Sequence, residues 1–141
     1  MSESKRLEKS ISSLNGTSIN VLDNDAYPEE GQVSVLIAFS DGTKLRANYW
    51  RMIKDGKEKL SSFDNNQKYG LPAPIDAKKE LQYELNGESV LSARLDLETG
   101  DLHFEFSQTL KLSVFAFTGY EVWEIIFPDG IVEYSNYAKD Y

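Results

Sequence analysis

The chain has no cysteine and one histidine among its 141 residues. The first absence removes disulfides, thiol nucleophiles and thiolate metal sites together. The second leaves His103 with no other imidazole to complete a relay or a triad. No apolar run reaches the roughly 18 residues of a membrane-spanning helix. The opening Met-Ser-Glu-Ser-Lys-Arg leads into no apolar core of a signal peptide, so a soluble, cytoplasmic protein without membrane contact is expected. Gly-x-x-x-x-Gly-Lys, Gly-x-Gly-x-x-Gly and Gly-x-Ser-x-Gly are all missing, and the serines at 10, 12, 13, 61 and 62 have no nucleophile context.

Basic residues are scarce in one half only. Residues 1–80 carry 12 Lys/Arg against 12 Asp/Glu, whereas residues 81–141 carry 3 against 11, so the whole formal charge of -8 sits on the second half. Such a chain repels nucleic-acid backbones and anionic membranes, and its expected partner is a cationic protein. At 40% hydrophobic and 27% charged the composition is that of a globular protein, and the length suits a single domain over 1–141.

Periodicity divides the chain into helices and strands. Leu7, Ile11 and Leu14 share one helical face in 4–14, and Asn15-Gly16 ends that helix. A second helix follows Asp76 as N-cap, carries Ala77, Leu81 and Leu85 four apart, and stops at Gly87. Strands are expected at 17–22, 32–39 and 44–50, the last two joined through Asp41-Gly42. Residues 51–75, with a turn at Lys54-Asp55-Gly56-Lys57 and a stop at Leu71-Pro72-Ala73-Pro74, read as an irregular excursion within the domain.

From 90 onward a meander is expected. Leu91, Ala93, Leu95 and Leu97 share a face, then Leu102, Phe104 and Phe106, then Leu110, Leu112, Val114 and Ala116, then Trp123, Ile125 and Phe127, with a hairpin at Pro128-Asp129-Gly130 leading into 131–135. Phe115, Phe117, Val122 and Ile126 point the other way and are too apolar for water, which predicts that the two helices cover that second face. The fold class is therefore α+β, an antiparallel sheet with a C-terminal meander and both helices packed on it.

Chemistry has few candidates. His103 shares its face with Glu105, as an acid/base pair would, but a lone strand histidine on a polar face reads as a surface residue. Asp23, Asp25, Glu29 and Glu30 crowd one loop without the sixth-position glycine and distal glutamate of a calcium loop, and so read as a solvated acidic patch. Lys44, Arg46, Arg51, Lys54, Lys57 and Lys59 lie among Tyr49 and Trp50, a mixture that suits single-stranded nucleic acid or a charged surface. No catalytic set, metal or cofactor is expected.

Three segments carry a resemblance. Gly100-Asp101-Leu102-His103-Phe104-Glu105-Phe106, Leu110-Lys111-Leu112-Ser113-Val114-Phe115 and Gly119-Tyr120-Glu121-Val122-Trp123-Glu124-Ile125 resemble the closing meander of small bacterial toxin-immunity proteins, over about 90–136. That resemblance implies an antidote that binds and blocks a cognate toxin with no catalysis, and it transfers no site residues. Contacts with a basic toxin domain are expected at Asp96, Glu98, Asp101, Glu105, Glu133, Tyr134 and Tyr137, with Asp23, Asp25, Glu29 and Glu30 as a second patch. The alternatives are a small-molecule binder or enzyme with a pocket lined by Trp50, Arg51, Asp64 and Tyr69, and a scaffold that self-associates through a sheet face.

Overall fold

A computed structural model describes residues 3–24, 32–107, 109–116 and 118–137. Helix α1, Glu3–Ser12, buries Leu7 and Ile11, and Leu14 just beyond it is also buried; the chain then turns on the hydrogen bond from Thr17 Oγ1 to the Leu14 carbonyl. Helix α2, Ala77–Leu85, starts where Asp76 accepts the Lys79 N–H and buries Ala77, Leu81 and Leu85. Each fully buried leucine or isoleucine of these faces contributes about 1.5–3 kcal/mol of apolar transfer.

The strands among the described residues are β1 (Ile19–Asp23), β2 (Val35–Phe39), β3 (Lys44–Ala47), β4 (Trp50–Lys54), β5 (Lys57–Ser61), β6 (Ser92–Leu95), β7 (Leu102–Glu105), β8 (Leu110–Val114), β9 (Trp123–Ile126) and β10 (Val132–Tyr134). They form two antiparallel sheets, β1-β2-β3-β9-β10 and β5-β4-β8-β7-β6. The α+β class is as expected, but the meander is divided: β6, β7 and β8 lie in one sheet, β9 and β10 in the other. Inward residues of both sheets belong to one core, and the Phe39 and Phe104 rings meet across it at 5.8 Å.

Two expectations are corrected here. Residues 51–75 are not all irregular, because β4 and β5 pair as a hairpin through Asp55-Gly56, and a 3-10 turn at Ser62–Asp64 follows. Residues 44–50 are not one strand, since the chain bends at Asn48-Tyr49 and passes from the first sheet to the second. The bend is held from both sides: Asn48 N–H donates to the Val122 carbonyl at 3.1 Å, and Phe115 N–H to the Tyr49 carbonyl at 2.9 Å. It also reverses the alternation, from Leu45 and Ala47 inward to Trp50 and Met52 inward.

The helices lie at sheet edges. Helix α1 packs by β6, while α2 packs by β1 and also touches β5. Both helices thus pack on the sheets as expected, at their edges; the main second layer is the other sheet, and Ile126 stays 39% exposed on an outer face. Leu91 and Leu97, expected inward, are exposed because β6 is regular only over Ser92–Leu95. Val122 is buried, Phe115 is half-buried, and Phe117 lies outside the described residues.

Candidate functional site

The acidic residues expected to receive a partner are not one patch. Asp96, Glu98 and Asp101 share the β6–β7 turn, whose shape they help to set. Asp96 Oδ1 accepts the N–H groups of Glu98 at 2.9 Å and Thr99 at 3.3 Å. The Glu98 N–H bond is the main reason the Asp96 carboxyl is held below its ordinary pKa, against the opposing effect of desolvation. Asp101 Oδ1 accepts the Ala116 N–H at 2.7 Å and so ties the turn to the end of β8.

Gly100 completes the turn at φ 83°, a conformation that favours glycine, and a Cβ there would meet the Ala116 Cβ at 3.3 Å and the Ser135 carbonyl at 3.4 Å. Its own carbonyl accepts the Trp123 indole N–H. Tyr137 packs on the Trp123 ring at 6.4 Å, and its hydroxyl is pushed above the usual tyrosine range by burial, then by the negative charges of Asp96 and Glu8. Asp96, Glu98, Asp101 and Tyr137 thus belong to one end of the molecule. Among the described residues no ion pair engages any of these three carboxylates.

The remaining expected contacts lie elsewhere. Glu105 is at the opposite end of β7, across from Lys111. Tyr134 stands in a row with Glu124 and Arg46 on the outer face of the first sheet, while Glu133 lines a 310 Å³ cavity with Arg6, Ser10, Phe127 and Ile131. Asp23 pairs with Lys78 of α2 at 2.9 Å; Asp25, Glu29 and Glu30 lie outside the described residues. The outer face of the first sheet also carries the part-exposed Leu22, Ile126 and Val132, the residues a self-associating scaffold would use.

The four residues of the small-molecule reading are each engaged within the fold. Trp50 is 1% exposed and gives its indole N–H to the Val33 carbonyl, so it is a core residue. Arg51 lies over the Phe115 ring at 5.0 Å. Asp64 accepts the Ser61 N–H and the Tyr69 hydroxyl, which makes it a cap. Of the basic stretch, Lys54 and Lys59 are both engaged by Glu84. His103 faces Ser113, with Nδ1 2.9 Å from its Oγ, and among the described residues no carboxylate bonds to the ring. Burial, then Arg94 beside it, lowers the His103 pKa, while Asp101 and Asp96 oppose the shift and Arg51 adds to it. Among the described residues no three His, Asp or Glu side chains gather to hold a metal ion, and no helix is long and apolar enough to cross a membrane.

A second candidate emerges at the sheet corner. Arg46, Asn48, Tyr49, Thr118, Tyr120, Glu121 and Val122 line an open cavity of about 350 Å³. Arg46 and Asn48 are only 7% and 8% exposed, whereas Tyr120 is 81% exposed. An Arg46 guanidinium N–H donates to the Glu121 carbonyl at 2.9 Å, and the Tyr49 ring stacks on Phe63 at 5.6 Å. Tyr120 and Trp123, neighbours in one sequence motif, therefore differ in kind: Trp123 is a buried strut and Tyr120 an open ring. The signal for this site is the slip of alternation at Asn48-Tyr49, since such a slip marks a bend and a bend opens a concavity.

No family model, curated protein or solved structure matches the chain.

Proposed function

We propose that the chain is a binding protein of the immunity type, which captures and neutralises a basic bacterial toxin domain in the cytoplasm and performs no catalysis. The observation that carries the reading is the β6–β7 end, where Asp96, Glu98 and Asp101 sit on a turn fixed by backbone hydrogen bonds and are left without ion-pair partners among the described residues. Unpaired carboxylates on a rigid turn keep their field outward, and a chain of net charge -8 steers a cationic partner into encounter. Exposed Glu98 offers its charge most freely, because Asp96 and Asp101 also serve the turn.

The test is co-purification of the tagged protein with the product of the neighbouring upstream gene, at low and moderate salt. A one-to-one complex with a basic domain is expected, forming faster at low salt. Glu98→Lys is expected to slow association several-fold and reduce its salt dependence, with the melting temperature unchanged. An association rate insensitive to both salt and Glu98→Lys would remove the electrostatic basis of the reading.

A further inference from the structure

We propose that the cavity between α1 and the β9–β10 hairpin binds a basic α-amino acid, lysine being the first choice. Its volume of 310 Å³ lies at the lower end of the range of small-molecule sites. Three charges line it, Arg6 from α1 and Asp129 and Glu133 from the hairpin. Charges of opposite sign on one cavity attract, yet among the described residues none of the three forms an ion pair, so no Arg6 nitrogen lies within 4.0 Å of either carboxylate. Helix and hairpin hold these charges apart, and a ligand that spans the gap satisfies both signs.

A ligand with one carboxylate and two ammonium groups matches one guanidinium and two carboxylates, and leaves the filled cavity neutral. The Arg6 guanidinium receives the ligand carboxylate through paired N–H donors. Glu133 is half-buried and accepts from the α-ammonium, while exposed Asp129 accepts from the side-chain ammonium at the rim. The turn fixes where the Asp129 charge stands, because its Oδ1 accepts the Ile131 N–H at 3.0 Å. Leu7, Phe127 and Ile131 supply the apolar wall for the methylene stem, since a lysine stem lies on apolar surface with its charged end in water. A neutral or acidic amino acid leaves one of the two carboxylates unmatched, and a chain of net charge -8 draws in the cation. This site shares no residue with the β6–β7 turn and stands or falls independently of the immunity reading.

The experiment is an amide NMR titration of the full chain with L-lysine and three analogues that each lack one charge: cadaverine without the carboxylate, Nα-acetyl-L-lysine without the α-ammonium and L-norleucine without the side-chain ammonium. L-lysine is expected to give saturable shifts at the amides of Arg6, Ile131 and Glu133, and each analogue to bind several-fold more weakly. Arg6→Gln, at an exposed helix position, should weaken lysine binding about tenfold and leave cadaverine binding unchanged, a split that a damaged fold would not give. Asp129→Asn keeps an acceptor for the Ile131 N–H and should erase the preference for lysine over norleucine. No saturable shift with L-lysine, or shifts centred on the β6–β7 turn, overturns the site. Lysine binding unchanged in Arg6→Gln overturns the role given to Arg6, and cadaverine or norleucine binding as tightly as lysine overturns the basic amino acid as ligand.

Discussion

The indole N–H of Trp123 donates a 2.8 Å hydrogen bond to the carbonyl of Gly100, which joins β9 in one sheet to the β6–β7 turn of the other. Both ends of the bond are buried, so its loss leaves a carbonyl with neither protein nor water. Trp123→Phe is therefore expected to destabilise the fold by about 2–3 kcal/mol, from the orphaned carbonyl and the smaller ring together. Urea unfolding checks this as a lower midpoint with an unchanged slope. Since the same carbonyl shapes the acidic turn, Glu98 and Thr99 amides should also exchange faster in the variant.

The edge of β1 is protected by side chains from distant sequence. Val21 N–H donates to Asn86 Oδ1 at 2.7 Å, and the Val21 carbonyl accepts from Gln82 Nε2 at 3.0 Å. These bonds occupy groups that an edge strand otherwise presents to another chain. Asn86→Ala is expected to cost about 1–2 kcal/mol and to raise aggregation near the unfolding midpoint, read by light scattering during a thermal ramp.

His103 gives a pH signature. Burial, then Arg94, holds its folded pKa below the ordinary value, so the unfolded chain takes up the proton first. Its contribution is present above the unfolded pKa of about 6.5, declines as the pH falls towards the folded pKa, and is fully lost below it. Proton NMR of the imidazole should show a midpoint below that of a free histidine. His103→Gln should flatten stability in the same window, and an unshifted midpoint would contradict the description of the site.

The apolar spacing of Leu7, Ile11 and Leu14, the Asp76 cap and the Asp41-Gly42 turn were legible in the sequence because each is a local signal with a local cause. The partition into two sheets was not. It depends on the bend at Asn48-Tyr49, and an eye following alternation from Leu45 towards Trp50 passes over the change of phase. Strand β5 was hidden for another reason: as a sheet edge it exposes Lys57, Glu58 and Lys59 in succession and buries only Leu60. Of the expected contacts, Asp96, Glu98 and Asp101 fall together because they share a turn. Glu105 parts from them because a strand carries it away, and the corner cavity joins residues over seventy positions apart, of which a local pattern reports only the bend at Asn48-Tyr49.

Glu84 links α2 to the β4–β5 hairpin, 3.1 Å from Lys54 and 3.4 Å from Lys59. Desolvation pushes its carboxyl pKa up, but the Lys54 hydrogen bond and the two positive charges outweigh it and leave the group below its ordinary value. Lys54 is correspondingly raised, chiefly by the Glu84 hydrogen bond. The carboxylate's contribution is present above its unfolded pKa of about 4.3 and is lost as the pH falls through the lowered folded value. The lysine's is present below about 10.4 and is lost as the pH rises through the raised folded value. Glu84→Gln should therefore be less stable than the parent between these limits, with the gap closing in acid. Both lysine side chains are more than a third exposed, so salt should also narrow the gap. Thermal melts of both chains across this pH range, at low and high salt, measure the difference. A gap that persists in acid would assign the loss to packing of the Glu84 side chain instead of its charge.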